Sequence, residues 1–171
     1  NNHREITPRR QILIAASSGA AATIAAVVFF RRAPAASVNE VFQVSYSDVQ
    51  WRKRLTADQY AVLRQGATEA PFSSPLDKEK RVGIFYCAGC ALPLFSSGTK
   101  FDSGTGWPSF WKPLDGAVGT RQDRGYGMSR TEVHCRRCGG HLGHVFNDGP
   151  PPTGLRYCMN GLSLAFTPKH V

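Results

Sequence analysis

Concentrated positive charge is scarce in most of this 171-residue sequence, although its formal net charge is +9. Five arginines and one glutamate place +4 of that charge in residues 1–36, which leaves +5 for residues 37–171. In the longer part, lysine and arginine occur only in short groups. Proteins that bind nucleic acid usually gather basic residues on one stretch or face. We therefore interpret the charge as favouring solubility, and we expect no nucleic-acid partner.

Cysteine is also scarce, and four of the five cysteines form two Cys-x-x-Cys pairs. A gap of 44 residues separates Cys87-Ala-Gly-Cys90 from Cys135-Arg-Arg-Cys138. Each pair places two thiolates on one tight turn, and two pairs complete a tetrahedral zinc site with no open position. We predict one structural Zn²⁺ that joins two distant strands. Two disulfides and a thioredoxin-like redox pair are the alternatives, although each pair closes a short loop and neither lies in a βαβ pattern.

The fifth cysteine, Cys158, has no cysteine partner left, so it is either buried and inert or a reactive thiol. Arg156 and Asn160 lie two residues to either side and share its face if the segment is a strand. A cationic or hydrogen-bonding neighbour lowers the pKa of a thiol. His141 and His144 lie nearby in the sequence and can act as acids near neutral pH. These neighbouring residues favour a nucleophilic role for Cys158.

One long uncharged run is present, and it covers the 19 residues 12–30. It is rich in alanine and just long enough to span a bilayer. Two arginines precede it, and two more follow it. We predict that residues 1–36 are a cleaved twin-arginine export signal, with an uncleaved membrane anchor or neither as alternatives. Either signal or anchor would place residues 37–171 in the periplasm or outside the cell, with membrane contact only through residues 12–30.

Seventeen glycines and eleven prolines indicate short strands joined by turns. Two short helices precede them: one is expected over residues 47–54 with Ser47 as its N-cap. The other begins with a capping box of Thr56 and Gln59 and ends at Gly66. Their apolar residues are expected to cover the core: Trp51, Tyr60, Val62 and Leu63. Strands or turns are expected at residues 82–86, 95, 101, 107–111, 116–118, 131–133 and 162–166, and the glycine-rich stretch from residue 139 is expected to be a loop that leads into a strand. The fold class is therefore mainly β and antiparallel.

The motifs occur in a specific order: Cys-x-x-Cys, Gly104-Thr-Gly-Trp-Pro-Ser-Phe110, Cys-x-x-Cys, Gly140-His-Leu-Gly-His-Val-Phe146 and Arg156-Tyr-Cys-Met-Asn160. Over roughly residues 45–168, this order resembles the methionine sulfoxide reductase B family. The resemblance implies an antiparallel β-tent, in which two small sheets are joined by a structural zinc. It also implies reduction of the R epimer of methionine sulfoxide, free or in proteins.

The resemblance gives Cys158 the role of nucleophile. Trp107 would be the wall that receives the S-methyl group of the substrate, and Phe146 would also bind substrate. A flat indole suits this group, since sulfur–aromatic contacts contribute about 0.3–1.5 kcal/mol. The alternative for Trp107 is a buried tryptophan in a Gly/Pro turn.

The other site residues follow from the same resemblance. His141 and His144 would bind and protonate the sulfoxide oxygen, helped by Asp148. Arg156 and Asn160 would hold the site in register. A sulfoxide is a poor electrophile until its oxygen is protonated, so a thiolate and an acid must act together.

The sequence departs from the family where many members carry a resolving cysteine, since Thr105 occupies that position. The sulfenic acid formed on Cys158 would then need an external reductant: a thioredoxin-like or glutaredoxin-like protein, or a small thiol. Residues 161–166 also depart from the common sequence, which affects only fine substrate contacts. We expect a monomer. The rival functions are a binding module with a tryptophan-lined pocket and a basic zinc-knuckle protein that binds nucleic acid.

Overall fold

A computed structural model of the chain describes residues 40–169. The signal or anchor predicted in residues 1–36 lies outside this range. Within residues 40–169, no helix combines the length and the apolar character needed to cross a bilayer.

Two short helices open the described part of the chain, as the capping residues predict. Helix α1 covers Asp48–Arg54, and the side chain of Ser47 accepts a hydrogen bond from its first turn. Helix α2 covers Ala57–Gln65 and begins with the predicted capping box of Thr56 and Gln59. It ends at Gly66, which has a left-handed conformation with φ of 71°. The four apolar helix residues expected in the core are all buried.

Within the described range of residues 40–169, nine strands follow the helices. They are β1 (Gly83–Cys87), β2 (Pro93–Ser96), β3 (Lys100–Phe101), β4 (Ser109–Phe110), β5 (Val118–Asp123), β6 (Arg130–Cys135), β7 (His141–Phe146), β8 (Arg156–Met159) and β9 (Leu164–Pro168). Single 3₁₀ turns lie at Pro75–Lys78, Ser97–Thr99, Gly125–Gly127 and Gly161–Ser163.

All strand pairs are antiparallel, and they form two sheets. The smaller sheet has the order β2-β1-β9, and the larger has the order β3-β4-β8-β7-β6-β5. This arrangement confirms the mainly β, antiparallel fold class with two sheets and short helices at the amino-terminal end.

The stretch from residue 139 was expected to be a loop, and this expectation is wrong for residues 141–146. They form strand β7, which pairs with β6 on one side and β8 on the other. Glycine is needed at Gly143 because β8 passes close by: a Cβ there would lie 2.1 Å from the carbonyl oxygen of Cys158. This glycine permits close strand packing and does not mark a loop.

Aromatic rings fill the core where the two sheets meet. Phe85 of β1 lies edge-on to Phe110 of β4, with ring centroids 5.0 Å apart. Phe95 of β2 stacks on the same ring at 4.3 Å. All three side chains are fully buried. Truncation of one such ring to alanine typically costs about 3–5 kcal/mol, so this cluster contributes strongly to the packing that holds the sheets together.

Candidate active site and metal centre

The four paired cysteines lie together at one end of the two sheets. Cys87 ends β1 in the smaller sheet, and Cys135 ends β6 in the larger. The Sγ atoms of Cys87 and Cys138 lie 3.7 Å apart, and those of Cys90 and Cys135 lie 3.5 Å apart. All four sulfur atoms lie within 4.8 Å of one another.

All four cysteines are free in the structure, and both sulfur–sulfur distances exceed the ~2.05 Å of a disulfide. A tetrahedral ion with metal–sulfur bonds of ~2.3 Å has sulfur–sulfur edges of about 3.8 Å, which the observed spacing matches. The four thiols therefore fit a four-coordinate metal ion, and a metal there would join the two sheets.

A single row of side chains crosses the larger sheet. Ser109, Cys158, His144, Glu132 and Arg121 lie directly opposite one another on β4, β8, β7, β6 and β5. Directly opposed residues in an antiparallel sheet project from the same face. Cys158 is thus flanked by a hydroxyl on one side and an imidazole on the other.

Cys158 lies at a small cavity of about 130 Å³ that also includes Trp107, His144 and Phe146 in its walls. The indole Nε1 of Trp107 donates a hydrogen bond to the carbonyl oxygen of Glu69 at 3.2 Å, which fixes the orientation of the ring. A cavity of this size suits a methylsulfinyl group better than a large side chain. The structure therefore brings the expected nucleophile, one histidine and both expected substrate-binding rings together.

Burial raises the pKa of the Cys158 thiol above its usual value of 9.0. Hydrogen bonding from Thr105, the charge of Arg156 and hydrogen bonding from Ser109 oppose this effect without cancelling it. Of the two neighbours expected from the sequence to lower this pKa, Arg156 does so, but desolvation outweighs it. The thiol is therefore protonated at neutral pH and needs a base.

His144 can act as this base because of its hydrogen-bond partner, Asp123. Its Nε2 lies 2.8 Å from Oδ2 of Asp123, and the Gly125 amide, His144 and Arg130 hold the pKa of that carboxyl at about 2. Since the carboxylate only accepts hydrogen bonds, Nε2 carries the proton and Nδ1 keeps a lone pair in the neutral ring. Burial lowers the pKa of His144 below 6.5, so the ring is neutral at pH 7.

His141 has a matching arrangement on the same sheet. Its Nδ1 lies 2.8 Å from Oε1 of Glu132, and Arg121 binds the same carboxylate. Burial raises the pKa of Glu132, but hydrogen bonds from His141 and Arg121 lower it to about 2 overall. The Nε2 atom of His141 is buried and has no partner among the described residues. The two imidazole rings lie 5.4 Å apart, edge to face.

Asp148 is paired with an arginine and not with a histidine. Its two carboxylate oxygens accept hydrogen bonds from Nε and Nη2 of Arg156 at 2.9 and 2.8 Å. The guanidinium of Arg156 also lies 4.4 Å above the ring of Phe146. Neither histidine is therefore among the hydrogen-bond partners of Asp148, and the carboxylates that bind the histidines are Asp123 and Glu132.

Asn160 is buried, and its side chain holds a neighbouring segment in place. It accepts a hydrogen bond from the Glu69 amide at 3.0 Å and donates one to the carbonyl of Leu142 at 3.2 Å. The Glu69 carboxylate in turn accepts hydrogen bonds from the amides of Gly161 and Leu162 at 2.6 and 2.9 Å. Because Glu69 also accepts the indole N–H of Trp107, Asn160 and Glu69 together position the cavity wall.

The SelR domain is the family whose model matches residues 55–168. The peptide methionine sulfoxide reductase MsrB of Leptospira interrogans is 55% identical over 126 residues, which cover 73% of this chain and 96% of that protein. The MsrB of Agrobacterium fabrum is 54% identical over 127 residues, which cover 74% and 94% of the two chains. The chain belongs to the MsrB family. It is therefore an oxidoreductase, and the matched range includes all four paired cysteines and every candidate site residue.

Proposed function

We propose that this protein reduces the R epimer of methionine sulfoxide to methionine, with Cys158 as its single catalytic thiol. The observation that carries the proposal is the position of Cys158 opposite His144, at a cavity walled by Trp107 and Phe146. Membership of the MsrB family supports the substrate class, since relatives of more than 50% identity carry that name.

The first step transfers one proton and one oxygen atom. Nδ1 of His144 accepts the proton of the Cys158 thiol, and the resulting thiolate attacks the sulfur of the sulfoxide. The imidazolium returns the proton to the sulfoxide oxygen, which moves to Cys158 as its bond to the substrate sulfur breaks. The products are methionine, reduced by two electrons, and a sulfenic acid on Cys158, oxidised by two.

The other site residues orient the substrate. The rings of Trp107 and Phe146 would enclose the S-methyl group and exclude water from it. His141 would give a second hydrogen bond near the sulfoxide oxygen, and Asp148 would act through Arg156. This division assigns the proton transfer to His144 because it is the histidine directly opposite the thiol.

An external thiol would complete the cycle. Thr105 Oγ1 lies 3.8 Å from Sγ of Cys158, and this side chain has no sulfur to form a disulfide. The remaining cysteines belong to the metal cluster. A thioredoxin-like or glutaredoxin-like protein, or a small thiol, would attack the sulfenic acid, release water and leave a mixed disulfide, which a second thiol would reduce.

We propose Zn²⁺ as the ion of the four-cysteine centre. Four thiolates in a tetrahedron are the donor set that zinc prefers in structural sites, and they leave no position for substrate. The ion would stabilise the junction of the sheets and take no part in the proton transfer.

The test compares wild-type protein with Cys158→Ser on both epimers of a methionine sulfoxide peptide and on the free amino acid. Wild type should reduce the R epimer only, and the variant should lose this activity while it keeps its full metal content. Retained activity in the variant, or reduction of the S epimer alone by wild type, would contradict the proposal.

We also propose that residues 37–171 act outside the cytoplasm, supported by the paired arginines before residues 12–30. Replacing Arg9 and Arg10 with lysine should keep the protein in the cytoplasmic fraction of an expressing bacterium. Equal export of the variant and wild type would contradict this location.

A further inference from the structure

Three hydroxyl groups form a hydrogen-bonded chain that ends at the catalytic sulfur. Ser103 Oγ lies 2.8 Å from Ser109 Oγ and 2.8 Å from Thr105 Oγ1. Thr105 Oγ1 lies 3.8 Å from Sγ of Cys158, a distance that suits the larger radius of sulfur. The chain lies on the side of Cys158 that faces away from His144, since Ser109 and His144 are its two opposite neighbours.

The available protons give this chain a direction. Ser109 Oγ lies 2.8 Å from Ser103 Oγ and 3.1 Å from the carbonyl oxygen of Trp107, so its single proton can be donated to either acceptor. When Ser109 donates to Ser103, the single proton of Ser103 is donated to Thr105 Oγ1, and the proton of Thr105 is left for the sulfur. When Cys158 is ionised, its sulfur is the strongest acceptor near Thr105, and the Thr105 hydroxyl turns towards it.

The turn that carries Thr105 is rigid. Asp102 accepts a hydrogen bond from the Gly104 amide at 2.9 Å, and Gly106 has φ of 89°. A Cβ at Gly106 would lie 2.7 Å from the backbone nitrogen of Phe72. Phe72 donates that N–H to the carbonyl of Gly106, so the turn is fixed from outside as well. The hydroxyl of Thr105 is thus preorganised and does not have to be ordered when the thiolate forms.

We propose that Thr105, backed by Ser103, donates a hydrogen bond to the Cys158 thiolate and stabilises it for attack on the substrate. The proposal rests on the proposed function, because it assigns a role in that reaction. A position that elsewhere in the family can hold a second thiol here serves an electrostatic purpose. The same hydroxyl faces the sulfur after oxygen transfer, where it can donate to the sulfenic acid oxygen.

The charged and titratable groups around Cys158 come from three strands. Arg156 lies on its own strand β8, His144 lies opposite on β7, and Arg130 of β6 lines the same cavity. Strand β4 contributes the uncharged Ser109, and the turn before it contributes Thr105. Removal of the Thr105 hydroxyl therefore leaves every charge near the thiol unchanged.

The experiment measures the pKa of the Cys158 thiol from the pH dependence of its alkylation by iodoacetamide in the metal-loaded protein. Thr105→Val has nearly the same shape but lacks the hydroxyl, and Thr105→Ser keeps it. The valine variant should raise the thiol pKa by roughly one unit, which slows alkylation below that pKa about tenfold, since one unit is a factor of ten. The serine variant should stay within about twofold of wild type.

Ser103→Ala provides a second measurement if the valine variant does not fold, as judged by thermal melting and metal content. It should raise the thiol pKa by less than the valine change. An unchanged thiol pKa in a folded valine or alanine variant would overturn the proposal. Alkylation needs no sulfoxide, so it tests Thr105 separately from the reaction. An unchanged thiol pKa together with intact reduction of the R epimer would refute only the role of Thr105 and leave the proposed function standing. Shifted pKa values in a protein that reduces no sulfoxide would instead refute the proposed function.

Discussion

Cys158 and His144 lie directly opposite each other on adjacent antiparallel strands. This pairing fixes the distance between thiol and imidazole through the backbone of the sheet, and no flexible loop is involved. The carboxylate of Asp123 holds the far side of the imidazole through Nε2. In the proposed mechanism, Nδ1 would therefore be left to exchange a proton with the thiol and then with the sulfoxide oxygen.

The first prediction concerns the pH profile and Asp123. Attack needs neutral His144 and protonated Cys158, so kcat/KM should be bell-shaped, with an acid limb below pH 6.5 and a basic limb above pH 9.0. The hydrogen bond to Asp123 raises the pKa of His144 against the effect of burial. Asp123→Asn should therefore move the acid limb to lower pH and reduce kcat by about tenfold or more.

Asp148→Asn is the matched control for this change, because Asp148 is also an ion-paired carboxylate but binds Arg156. It should leave the acid limb in place. If the acid limb shifts in Asp148→Asn and stays in place in Asp123→Asn, the role expected for Asp148 from the sequence is right. The contact between Asp123 and His144 would then not control the acid limb.

The second prediction concerns stability in acid. The pKa of Glu132 falls from 4.5 to about 2 on folding, because hydrogen bonds from His141 and Arg121 outweigh burial. A depressed carboxyl pKa contributes stability that is complete above pH 4.5 and is lost as the pH falls towards 2. The contribution of Glu132 is about 3 kcal/mol, at 1.36 kcal/mol per unit. Denaturant titrations from pH 6 to pH 2 should show this loss in wild type and a flatter dependence in Glu132→Gln; parallel curves would contradict it.

Much of the fold and part of the site follow from local sequence. The spacing of the cysteines predicts the cluster of four sulfurs because each pair forms its own turn. Ser47 as an N-cap and the capping box of Thr56 and Gln59 predict the two helix starts, because a cap depends on residues a few positions apart. Such features need no knowledge of which strands are neighbours.

The features that sequence did not reveal depend on strand pairing. Asp123 and Glu132 contact histidines that are 21 and 9 residues away, and only the register of β5, β6 and β7 brings them together. Glu69 follows α2 and meets Gly161 across 92 residues, a tertiary contact that local sequence does not reveal either. Strand β7 was missed because Gly143, where β8 passes close, and the preceding Gly139 and Gly140 look like loop residues in the sequence.

The third prediction concerns the metal centre. Cys135→Ser removes one ligand from the junction of the two sheets, so the variant should lose its metal and unfold at a much lower temperature. Structural zinc sites contribute apparent binding energies of ~10–16 kcal/mol, more than the net stability of most domains. Metal analysis and thermal melting check this, with Cys158→Ser as the control that keeps both properties. Full metal content in Cys135→Ser would exclude this cluster as the site.

The fourth prediction concerns Glu69, which supports Trp107 through its backbone and the amides of Gly161 and Leu162 through its side chain. Glu69→Ala leaves two amides without acceptors in a buried region, which costs about 1–3 kcal/mol each. It should also raise KM for the sulfoxide, because the backbone carbonyl that accepts the indole N–H stays but its segment loses the side-chain hydrogen bonds that hold it in place. Glu69→Gln keeps one acceptor oxygen and should have a smaller effect on both the stability and the KM. Denaturant titration and steady-state kinetics separate these effects, and equal KM values in all three proteins would contradict the role in substrate binding.

The last prediction tests whether the side chain of residue 105 lies beside the Cys158 sulfur, by introducing a resolving thiol at that position. The side chain of Thr105 reaches within 3.8 Å of the Cys158 sulfur, so Thr105→Cys places a thiol beside the sulfenic acid. Flanking glycines with positive φ leave the turn free of side chains that would block the approach. After one equivalent of R sulfoxide, the introduced thiol should attack the sulfenic acid, release water and form a disulfide, detected by mass spectrometry as the loss of two hydrogens. Wild type should show the added oxygen instead, and Thr105→Ser should match wild type. A persistent sulfenic acid in Thr105→Cys would mean that the hydroxyl of Thr105 does not lie beside the reacting sulfur.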